Sequence, residues 1–142
     1  MKEGTEFVVV STTVDSEVVA QELAGHIVRE KLAACVQHTH IQSTYRWKGT
    51  VESASEYLVL AKTRASLADK LIDFIKRAHT YDVPEIIVTP ITGGFEGYLD
   101  WIVSETGGQQ PSRRSGAMAY REGGRLEVRG RKKRGTRRVS SR

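Results

Sequence analysis

The order of local signals predicts an α+β fold: a ferredoxin-like βαββαβ domain with an antiparallel sheet, two helices on one face and a further helix after the last strand. Three observations carry this. Val- and Thr-rich runs alternate with stretches of helical apolar spacing. Two strand-like runs of about 14 residues meet at Lys48–Gly49. Dense apolar blocks extend only from Phe7 to Val103.

Residues 5–12 (TEFVVVST) open the domain, and their β-branched side chains suit a pleated surface. Four consecutive apolar residues, Phe7 to Val10, predict a central strand covered on both faces. Asp15 and Ser16 can cap a helix over 16–31, with Glu17 in its first turn. Val19, Leu23 and Ile27 recur there at helical spacing.

Alternation returns over 33–47, with Cys35, Gln37, Thr39 and Ile41 on one face and Val36, His38 and His40 on the other. Gly49 allows a tight turn, and a second long strand returns over 50–63. A hairpin this long exceeds the ordinary strand of 5–6 residues, so one end is predicted to project and invite pairing with another chain. Ser66 and Asp69 form a capping pattern ahead of a helix over 67–78. Glu85 to Thr89 reads as a short buried strand stopped by Pro90, and a last helix spans 95–104.

The 142 residues fit one domain, assigned to 1–106, followed by a tail over 107–142. The tail holds 12 of the 22 basic residues and 2 of the 17 acidic ones, so it carries +10 and the preceding 106 residues carry −5. Its Gly, Ser, Gln and Arg composition predicts disorder, because little apolar burial offsets the entropy of ordering. Runs such as RGRKKRGTRR bind nucleic acid non-specifically through phosphates, or else form a solvated extension. One cysteine, Cys35, excludes an intrachain disulfide and fits a reducing compartment. With no leader-like or membrane-spanning run, the expectation is a cytoplasmic protein that does not enter the membrane.

Several motifs resemble the CutA family of divalent-cation tolerance proteins. They are KLAACV at 31–36, STYRWKG at 43–49, EYLVLAKT at 56–63, HTYDVPEI at 79–86 and GYLDWI at 97–102. The resemblance covers about residues 5–106 in the family's order. It implies a homotrimer in which long hairpins pair edge to edge, a link to divalent metals including copper, and no catalysed reaction. It also implies a likeness to PII signalling proteins in trimer architecture. The alternative function is therefore a PII-like small-ligand sensor binding an anion between subunits.

The candidate site residues are Tyr45, Trp47, Glu56, Lys62, His79, Tyr81 and Glu85, expected to line an inter-subunit cleft. Within it, His79 and Glu85 are the candidate ligands for copper or another divalent metal ion. Some family members carry a cysteine where Ser11 stands and a histidine where Ala78 stands, so this chain keeps only part of that ligand set. Lys62 either binds a small anion or forms a structural ion pair. His38 and His40 share a face about 7 Å apart, open either to a common metal or to solvent. Cys35, flanked by Ala33, Ala34 and Val36, is expected to be a buried, inert thiol. No spacing in the chain demonstrates a nucleophile–base pair.

Overall fold

A computed structural model describes residues 6–108. Strand β1 (Phe7–Val14) leads into helix α1 (Glu17–Arg29), then β2 (Cys35–Trp47) and β3 (Thr50–Arg64). A 3-10 turn (Ala65–Leu67) opens helix α2 (Ala68–Ala78), followed by β4 (Ile86–Ile91) and helix α3 (Glu96–Glu105). The strands form one antiparallel sheet in the order β2-β3-β1-β4. The predicted βαββαβ order with its extra helix is the observed one.

Local chemistry explains most boundaries. Ser16 caps α1, its hydroxyl accepting from the Val19 N–H at 3.2 Å. The hairpin turns through Lys48 and Gly49 at φ of 52° and 84°, the doubly positive pattern of a tight turn whose twist matches its strands. Ser66, by contrast, does not cap α2. The helix enters through the 3-10 turn, and Leu67 at its N-cap offers no side-chain acceptor. The capping pattern at 66–69 is present, but the tighter entry turn displaces the hydroxyl from the cap position.

The two sheet faces are built differently. On one, Val8, Val10, Val59 and Ala61 pack with Ala20, Leu23 and Ile27 of α1 and Leu71 and Ile75 of α2. On the other, α3 covers only the end around Phe7 and Ala34, through Ile102 with Leu99 and Val103. This two-sided cover is why Phe7 to Val10 reads as an unbroken apolar run. Arg64 ties down the end of α3, donating from Nε to the Thr106 hydroxyl at 2.8 Å and from a terminal nitrogen to the Thr106 carbonyl at 2.7 Å.

Strand β4 departs from expectation. It runs through Pro90 to Ile91 and is largely exposed, not buried. It lies at the sheet edge, where a residue without an N–H is tolerated. The hairpin overruns its neighbours. The β1 register on β3 ends at the Val14–Tyr57 pair, whereas β2 and β3 stay paired out to Trp47 and Thr50. Residues 41–56 thus form a two-stranded ribbon reaching about 20 Å past β1. Most of that ribbon is exposed on both faces. The basic-tail expectation falls on residues 109–142, outside those described.

Candidate functional site

The seven predicted residues fall into separate groups within one chain. Three of them meet. Glu56, on β3 just past the last β1 pair, is 9% exposed and accepts a hydrogen bond from the Tyr81 hydroxyl at 2.8 Å. Tyr81 arrives from the loop between α2 and β4, and its N–H donates to His79 Nδ1 at 3.1 Å. The other nitrogen, His79 Nε2, donates to the Thr13 carbonyl at 2.8 Å. Both ring nitrogens are therefore engaged, with the proton on Nε2. The two rings also pack at 4.7 Å between centroids.

The loop owes its shape to these contacts. His79 follows the last helical residue in an extended conformation, and its imidazole ties the loop to the end of β1. Burial raises the Tyr81 phenol well above its ordinary pKa. The Glu56 carboxylate adds to this by accepting the proton's hydrogen bond and by its charge, and Asp15 and Tyr45 contribute at longer range.

Lys62 stands six residues further along β3, about 20 Å from Glu56. Its ammonium donates to Gln37 Oε1 at 2.7 Å and lies 5.9 Å from the centre of the Tyr98 ring. Tyr98 stacks on Trp101 at 5.5 Å. Burial, with the Cys35 thiol as polar neighbour, pushes the Tyr98 phenol up to about 12. Within one chain Lys62 is thus paired with an amide and an aromatic face. One expectation is corrected here. Cys35 is half-buried beside Tyr98, because it starts β2 at the margin of the α3 contact instead of inside the core.

Tyr45 and Trp47 sit on the exposed ribbon, and the Lys48 ammonium lies 5.8 Å from the Trp47 ring centre. Glu85 is exposed, immediately before β4. Among the described residues no three His, Cys, Asp or Glu side chains gather in a way that could hold a metal ion. Within one chain, then, His79 and Glu85 do not make a metal centre, since both nitrogens of His79 are already hydrogen-bonded. Sequence reasoning missed Gln37 and Thr13. Counting back from the turn places Cys35 opposite Lys62, so Gln37 was within reach as its diagonal neighbour. A backbone acceptor such as the Thr13 carbonyl leaves no such signal.

The described residues thus form a split-βαβ domain with an overlong hairpin and one partly open sheet face. Comparison with known proteins gives the family. The model of the CutA1 divalent ion tolerance protein family matches residues 8–105, and the chain belongs to that family. It is a family of non-enzymatic divalent-ion tolerance proteins. Similar relatives include the chloroplastic CutA protein of Arabidopsis thaliana, 47% identical over 100 residues. That match covers 70% of this chain and 55% of the relative, so the chain spans about half the length of that relative. The divalent-cation tolerance protein CutA of Thermus thermophilus is 45% identical, over 70% of this chain and 97% of its own. The solved structure of CutA from Synechococcus elongatus superposes with a TM-score of 0.70 at 36% identity, covering 74% of this chain and 94% of that one. Among the described residues no helix is long and apolar enough to cross a membrane.

Proposed function

We propose that the protein works as a homotrimer in divalent-cation tolerance, each hairpin ribbon adding its open edge to a neighbouring subunit. One observation carries this reading: the ribbon at 41–56 runs about 20 Å past β1 with one edge of β3 unpaired. An isolated two-stranded hairpin is marginal in water, so such an arm gains stability from a third strand. The half-exposed Ile87 and the partly exposed Leu58 and Leu60 lie on the sheet face that α3 leaves open.

In that assembly the Glu56–Tyr81 pair of one subunit and the Lys62–Tyr98 pair of another come within reach and form a shared cleft, with Tyr45 and Trp47 supplied by the ribbon. A copper or other divalent ion entering at His79 and Glu85 would have to displace one backbone partner of the imidazole. The free thiol of Cys35 supports a reducing compartment such as the cytoplasm. The second reading, a PII-like sensor of a small anion, is favoured by one feature: the Lys62 ammonium stands beside an aromatic pair instead of a carboxylate.

Sedimentation equilibrium of the full chain tests the assembly, with a trimer mass expected. Replacing residues 44–53 with a short turn should reduce it to a monomer, and a monomeric wild-type chain would overturn the proposal. A thermal-shift screen separates the two ligand classes, since whichever ligand binds the folded state raises the melting temperature.

A further inference from the structure

His38 and His40 stand two apart on β2, so both imidazoles leave the same face of the strand from origins about 7 Å apart. Tyr57 of β3 is the direct cross-strand partner of His40. Its ring lies 6.3 Å from the His38 ring and 5.2 Å from the His40 ring, edge-on to both at 71° and 69°. Tyr57 itself packs against the main core. One anchored ring thus restrains two neighbouring imidazoles and lowers the entropy they would lose on converging.

The contrast with His79 decides the matter. Both nitrogens of His79 are hydrogen-bonded to backbone. Among the described residues, neither His38 nor His40 has a hydrogen bond or ion pair, only the ring contacts with Tyr57. His40 is exposed and His38 half-buried, so water and ions reach them. Imidazole nitrogen suits copper, nickel and zinc, and affinity for a given nitrogen site peaks at Cu(II). Metal–nitrogen bonds are about 2.0–2.1 Å long, so two rings starting about 7 Å apart need only rotate toward each other to share one ion.

We propose that His38 and His40 form a two-imidazole site on β2 for a borderline divalent first-row cation, with water completing the coordination. No third His, Cys, Asp or Glu side chain joins them among the described residues. The site is accordingly open and exchangeable, suited to taking up and passing on an ion. It uses no residue of the inter-subunit cleft and stands whether or not that cleft binds metal.

The test is calorimetric titration of the full-length protein with Cu(II) alone, alongside electron paramagnetic resonance. Wild type should show a saturable event of one ion per chain whose spectrum carries nitrogen couplings from two imidazoles, apart from any further event at His79 and Glu85. His38→Gln and His40→Gln should each lose that event and the two-nitrogen pattern, while their thermal melts stay close to wild type. His26→Gln, His79→Gln and Glu85→Gln should keep both. Tyr57→Phe should also keep both, which separates ring packing from ligation by the phenol. Retention of the event in His38→Gln or His40→Gln would overturn the proposal, as would its loss in His79→Gln or its absence from wild type.

Discussion

The two faces of the sheet differ in what finishes them. The face under α1 and α2 is closed by the chain itself, with Val10, Val59, Leu71 and Ile75 essentially inaccessible. The opposite face is closed only where α3 lies. Beyond it stand Leu58, Leu60 and Ile87, with the Glu56–Tyr81 pair as the polar border. The lesson is that a small α+β domain can be closed by its own chain on one face and left open on the other, and under the proposed function the open face is the one a neighbour would cover.

The sharpest test compares an isoleucine from each face. Ile75→Ala, at 1% exposure, should cost about 2–5 kcal/mol in chemical denaturation. Ile87→Ala, at 49% exposure, should cost about 1 kcal/mol or less in the separated chain. If Ile87→Ala costs as much as Ile75→Ala in the native assembly but not in the dilute chain, the open face is covered by a neighbour. Equal costs in both would erase the difference between the faces.

Next in size is the polar border. Glu56→Ala should destabilise by about 1.5–3 kcal/mol, the range for a hydrogen bond to a charged group. A double-mutant cycle with Tyr81→Phe should place most of that loss in their mutual term. In Glu56→Gln the Tyr81 phenol should titrate earlier, because one cause of its upward shift is removed while burial, the largest, remains.

Tyr98, on α3 itself, gives a pH test of the end that this helix covers. Its folded pKa of about 12 lies above the ordinary value of 10.0, so the fold favours the protonated phenol. Below pH 10 folded and unfolded chains both hold this proton, and stability is unaffected by it. Between about 10 and 12 the unfolded chain releases the proton first, so stability should fall across that window. The denaturation midpoint of wild type should drop more steeply there than that of Tyr98→Phe. Of the five tyrosines, ultraviolet titration should lose one late-ionising step in that variant.

The smallest expected effect concerns the helix entries over the closed face. Ser16→Ala removes the α1 cap and should cost about 1 kcal/mol. Ser66→Ala should shift the denaturation midpoint very little, since α2 enters through its 3-10 turn.

Those two serines also mark what was legible. Both sit in sequences that read as caps, yet only Ser16 serves as one, because the pattern names an available hydroxyl and not the entry geometry. The strand at 86–91 shows the same limit. Its apolar run reads as buried, whereas burial depends on which strand stands beside it and what lies above. Of the seven residues expected to line a cleft between subunits, Glu56, Tyr81 and His79 meet within one chain, and Lys62 stands apart beside Tyr98.

By itself the amino-acid order determined the elements and the hairpin. Helical and strand periodicities are local, and a doubly positive turn at Lys48–Gly49 sets the β2–β3 register by counting outward from it. Only the tertiary structure decided which face α3 covers, where β1 stops along β3, and that both nitrogens of His79 are taken. Those facts arise from contacts between residues distant in the chain, and periodicity carries no information about them.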